Sequence, residues 1–201
     1  MQDLRTRAGT MLNGTASGLV PMAVFTPFYA IWTMFAWPLP GVVIFGAVLA
    51  WSLYLGLTAR RLFRTSAELP DERNEHDARL TRGMTVLSSV QGVLILVSAA
   101  VLWLLGLWMW ILPVVALIVA LHFFPMPALF GRTVDYYLGT LMAIASLTGF
   151  TLAGMGRPWQ EVWAVTGIGG AAVTSLYGLY MVRTARKTLA QYETLVAAER
   201  E

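Results

Sequence analysis

The chain contains no cysteine, two histidines and a single lysine. Without cysteine there is no disulfide framework, thiolate nucleophile, cysteine-ligated zinc or iron–sulfur cluster. Charge is also scarce: Asp, Glu, Lys and Arg make up 12% of the 201 residues, where a soluble domain carries roughly a quarter. This excludes an ordinary soluble globule. Several catalytic signatures are missing too: Gly-x-Ser-x-Gly, His-Glu-x-x-His, a phosphate-binding Gly-Lys-Ser/Thr and paired haem histidines do not occur. No metal or cofactor is expected.

What the chain has is apolar surface. The hydrophobic fraction is 57%, with eight Trp and nine Phe, and the mean hydropathy is +0.64. Disorder is excluded by the same figures. Stretches of about 17–25 apolar residues mark spanning helices, because lipid leaves backbone amides no partner outside their own helix. Six such stretches run approximately over 16–37, 42–59, 84–105, 107–124, 134–155 and 160–182. None contains Lys or Arg, and Asp135 stands at the start of the fifth. The boundary between the third and fourth rests on Gly106, since fusing them would require one helix of about 60 Å, twice the hydrocarbon thickness. The expectation is an all-α polytopic bundle of six transmembrane helices, forming one domain over 1–201. Arg5 and Arg7 precede the first stretch as in a secretory signal, but that stretch is too long, carries Pro21 and Pro27 and lacks a small-residue cleavage site.

Basic residues near span ends stay in the cytoplasm. Thirteen of the fourteen Lys and Arg fall on one side, and Arg157 alone on the other, so both termini are expected in the cytoplasm of a bacterial inner (plasma) membrane. Thirteen Arg against one Lys suits a GC-rich bacterial genome. Trp37, Trp103, Trp108, Trp110, Trp159 and Trp163 should form the outer belt, and Tyr54, Tyr136, Tyr137, Tyr177 and Tyr180 the inner one. The arginines are spread over four segments among acids, which argues against nucleic acid as a partner.

The outer connections, near 37–41, Gly106 and 154–159, are too short for an extracellular domain. Any external ligand must therefore be small enough to enter between helices. The connection 60–83 carries six arginines and five acids, and Pro70 with Asp71 and Glu72 reads as a helix start. Glu75 and Arg79 can pair on one face, as a solvated helix would have them. Glu72 and His76 have the spacing of a metal pair but no second pair accompanies them. The tail after Arg183 reads as a helix with Leu189, Tyr192 and Val196 on one stripe, suited to the bilayer surface or to another subunit.

Polar groups inside spans are the default functional candidates. Gln91 is the clear intramembrane amide, read either as a ligand contact or as an interhelical hydrogen bond. In the sixth span Gly167 with Ala171, and Gly170 with Thr174, repeat at four-residue spacing, which lets two backbones approach. That seam suits packing within the chain or a homo-oligomer. The segment from Leu121 to Tyr137 gathers His122, Arg132, Asp135, Tyr136 and Tyr137 around Pro125 and Pro127. These residues can converge on a pocket open to the cytoplasm, with Asp135 holding a His122 cation. Singly, Arg132 is also a positive-inside anchor, Asp135 a helix N-terminal acid and the tyrosines belt residues.

The run His122-Phe123-Phe124-Pro125, followed by Leu129-Phe130 and Tyr136-Tyr137, resembles a pattern in small, uncharacterised bacterial six-span membrane proteins. The resemblance implies no activity. From the residues, the leading expectation is a transport-related or small-solute-binding protein with a cytoplasm-facing cavity and a small neutral or apolar ligand. Its candidate ligand-binding residues are His122, Arg132, Asp135, Tyr136 and Gln91. The alternatives are a membrane-embedded enzyme acting on a lipid-soluble substrate through His122 and Asp135, or an accessory subunit working through its arginine-rich loop and tail with a partner protein.

Overall fold

A computed structural model describes residues 2–69 and 75–198, and every regular element among them is helical. The elements are α1 (Gln2–Ala30), α2 (Thr33–Ala36), α3 (Pro38–Ala67), α4 (Glu75–Leu104), a 3-10 turn at Trp108–Trp110, α5 (Ile111–Phe123), α6 (Met126–Phe130), α7 (Val134–Gly154) and α8 (Trp159–Ala198). Six segments are long and apolar enough to cross a membrane: Ala8–Ala36, Pro38–Ala67, Ala78–Leu104, Trp108–Phe130, Val134–Gly154 and Trp159–Thr194. The chain is an all-α, multi-pass integral membrane protein. Helices α3, α4 and α8 overrun the expected apolar stretches at their arginine-bearing ends, because nothing local stops them where the hydrophobic run does.

The breaks have local causes. At the junction of the third and fourth spans Gly106 has φ +71°, Leu107 N–H donates to Leu102 O at 2.8 Å and Gly106 N–H to Trp103 O at 3.0 Å. This is the left-handed cap that glycine closes without a Cβ clash. Gly156 repeats it, with φ +71° and Arg157 N–H on Leu152 O at 3.1 Å. The helix start expected at Pro70, Asp71 and Glu72 lies outside the described residues, as do the side chains of Glu75, His76 and Val196.

Consecutive spans pair into three hairpins, α1 with α3, α4 with α5 and α7 with α8. The first joins the third through α1 against α8, and the second joins it through α5 against α7. The helices therefore follow the order α3, α1, α8, α7, α5, α4 across the bundle. Helix α8 sits in the middle, with 56% of its most apolar stretch buried, while α4 on the flank has none buried. Such an open apolar face is compatible with lipid, since hydrocarbon is as apolar as another helix.

Small residues set the close contacts. Gly167 lies against the Tyr29 carbonyl and Gly170 against the Tyr29 ring, so α1 of the same chain occupies the small-residue face of α8, with Ala171 buried beside it. Gly139 of α7 faces the carbonyl of Ala120 and the Cβ of Phe123 on α5. Hydroxyls add cross-links: Ser146 Oγ donates to Pro113 O at 2.8 Å, and Thr26 Oγ1 to Thr174 Oγ1 at 2.9 Å. Because membrane interhelical hydrogen bonds average about 0.6 kcal/mol, Thr174→Val should lower stability by about that amount in detergent unfolding. A loss above about 2 kcal/mol would mean that this pair carries more than ordinary glue.

The tryptophan-rich end is closed by packed rings. Trp163 meets Trp32 edge-on at 4.4 Å, stands 5.9 Å from Trp108 and 5.8 Å from Trp159, and its Nε1 donates to Met109 O at 2.8 Å. Its indole nitrogen is thus committed to the protein, where a belt residue would present it to the interface.

Candidate functional site

Helix α5 ends at Phe123, and α6 follows at once with Pro125 and Pro127 in its opening. Proline is tolerated there because first-turn amides have no helical partner. Gly131 ends α6 in the left-handed conformation, φ +65°, its N–H on Pro127 O at 2.8 Å. This sharp reversal aims Arg132 back toward the first turn of α7, where Asp135 follows three residues later.

Asp135 is the buried charge of the molecule's basic end. It is 0% exposed, and Arg132 Nε stands 3.3 Å from its Oδ2. Arg132 is itself one-quarter exposed, at 25%, its guanidinium centred 4.4 Å over the Phe130 ring. Its Nη2 donates to the Tyr177 hydroxyl at 2.8 Å. Tyr177 is 2% exposed and is the second polar group facing Asp135. Phe123 packs edge-on against it at 5.5 Å. The site is thus an Arg–Asp–Tyr constellation assembled from the α6–α7 junction, α7 and α8.

Its polar atoms are incompletely matched. Neither Asp135 oxygen, nor Arg132 Nε, has a well-aligned hydrogen-bond partner among the described residues. The Arg132–Asp135 contact is therefore an ion pair by distance without hydrogen-bond alignment. An ionised carboxylate can accept several hydrogen bonds, and Arg132 and Tyr177 are the donors that face this one.

The other expected site residues go elsewhere. His122 turns toward the backbone of Leu87 on α4, and its buried Nδ1 has no hydrogen-bond partner among the described residues. Arg132 and Tyr177 face Asp135 in place of the expected His122. Tyr136 is 48% exposed, its ring 6.3 Å from that of Phe124, and Tyr137 is exposed as well. Gln91 is half-buried on α4, one turn beyond Leu87, and is neither in the constellation nor hydrogen-bonded through its side chain among the described residues. Tyr177, expected in the inner belt, is instead the site's third member. The signal that could have found it is its place on the same helix as the small-residue seam, three residues after Thr174, on a face already committed to packing.

Among the described residues no three His, Asp or Glu side chains gather to hold a metal ion. Comparison with protein-family models, curated proteins and solved structures finds no match. Within the constellation Arg132 offers fixed N–H donors, Tyr177 a hydroxyl, and Asp135 acceptor oxygens in a low-dielectric setting.

Proposed function

We propose that this membrane protein is transport-related and binds a small solute at its basic end, with Asp135, Arg132 and Tyr177 as the contact groups. We further propose that the basic end faces the cytoplasm of a bacterial plasma membrane, on the strength of thirteen basic residues against one. The observation that carries the reading is the fully buried Asp135 carboxylate, whose oxygens lack well-aligned donors. Burying a charge at this depth is expensive, and an apolar pair of similar volume usually serves stability as well or better. Intramembrane ionisable residues that face protein therefore mark pathways and ligand sites. The solute best suited to the site is small and presents hydrogen-bond donors, because acceptor capacity is what Asp135 has to spare. The Arg132 guanidinium beside it opposes a compact cation, which favours a neutral solute.

Native mass spectrometry of the protein released gently from its own membrane tests this reading. The expected result is a defined non-lipid adduct on the parent that is lost in Asp135→Asn and weakened in Tyr177→Phe, with both variants eluting as folded protein. An adduct that survives both substitutions places binding elsewhere. A parent carrying bulk lipid and nothing else removes the support for a solute site.

A further inference from the structure

The flank of the bundle carries a feature that the buried constellation does not use. Between α4 and α6 runs an open groove of about 570 Å³, walled by Val86, Leu87 and Val90 on one side and by Pro125, Ala128 and Leu129 on the other. Gly83 forms its floor, where a Cβ would come within 3.0 Å of Leu129 Cδ2. Arg79 and Arg82 stand at its basic end. Residues 79, 82, 83, 86, 87 and 90 recur at three- and four-residue intervals, so they form one face of α4. Along it two guanidinium groups give way to bare valines over about 16 Å.

We infer that this groove seats one anionic phospholipid, its phosphate held by Arg82 and an acyl chain lying along Val86 and Val90 against Leu129. Three observations support this occupant. The walls face outward on a spanning helix with no buried residue in its apolar stretch, and Val86 is 57% and Val90 52% exposed, so the groove opens to lipid. The charged residues of its lining are both arginines, and Arg82 makes no ion pair among the described residues. The sequence of chemistries matches a phospholipid's own order of phosphate, glycerol and hydrocarbon, and a guanidinium suits a phosphate oxygen pair. A free phosphate would gain nothing from the valines. A zwitterionic lipid would bring its own cation to the arginines.

The test is native mass spectrometry of the full chain in detergent, titrated with phosphatidylglycerol or phosphatidylcholine of matched chains. Phosphatidylglycerol should be retained in preference, with its binding weakened about fivefold in Arg82→Gln. Ala128→Trp fills the groove and leaves both arginines in place, so it should abolish the preference; Val86→Trp on the opposite wall does the same if that variant fails to fold. Equal retention of the two lipids overturns the inference. So does undiminished phosphatidylglycerol binding in a folded groove-filling variant, since attraction to the arginines alone would then suffice. Displacement of the lipid by inorganic phosphate at millimolar concentration would also overturn it, because the apolar walls would then contribute nothing.

Discussion

Gly167→Ala is expected to cost about 3 kcal/mol of stability, enough to leave much of the protein misassembled, although it adds one methyl group. The new Cβ would run into the backbone carbonyl of Tyr29, which cannot rotate out of the way as a side chain would. Tyr29 is held in turn, 2% exposed, with its ring against Gly170 one turn along α8. Relief requires α1 and α8 to separate. Those two helices carry the join between the first and third hairpins, so the shift spreads through the bundle. Gly46→Ala is the control: nothing lies within 4 Å of its added Cβ, and its stability should change by less than about 1 kcal/mol. Thermal or denaturant unfolding in detergent reads both. Equal stability of the two variants would mean that α1 and α8 are not in such close contact.

Asp135→Ala should be the second severe substitution. Removing one partner of a buried ion pair typically costs about 3–5 kcal/mol, since the remaining charge keeps its desolvation penalty. Arg132 retains 25% exposure and the Phe130 ring beneath it, so water and the ring relieve part of that penalty and the expected cost is about 3 kcal/mol. The double variant Arg132→Leu/Asp135→Leu should lose less than the single, because no charge is then stranded. That ordering separates an electrostatic fault from simple loss of packing. If the double variant is the less stable, the pair is a structural anchor and the case for a solute site weakens. Asp135→Asn, which keeps the volume and the acceptor oxygen, should remain folded and so remain usable in the binding test.

The parts of this architecture legible in the sequence are those written locally. Gly106 announces its helix end because a left-handed residue is needed there and glycine supplies it without steric cost. Arg132 and Asp135 are neighbours by spacing alone, three residues apart across a helix start. Tyr177 is not: 42 positions separate it from Asp135, and its place three residues after Thr174 marks a packed face without saying which residue it meets. His122 is expected in the site as the histidine beside a span's end, and Gln91 as an intramembrane amide. The structure turns His122 to Leu87 on α4 and leaves Gln91 on the flank, since polarity does not say which face of a helix meets which neighbour.

The number of spans, their lengths and the asymmetry of basic residues follow from sequence because a bilayer imposes a fixed thickness and forbids unsatisfied backbone within it. The order α3, α1, α8, α7, α5, α4 was settled in three dimensions. In water, a helix declares its buried face by contrast with a polar one. Here the lipid-facing and protein-facing sides are both apolar, so α4 with nothing buried and α8 with most of its face covered read alike along the chain. Contacts such as Gly167 and Gly170 on Tyr29, and Tyr177 on Arg132, tell the inside of the bundle from its surface.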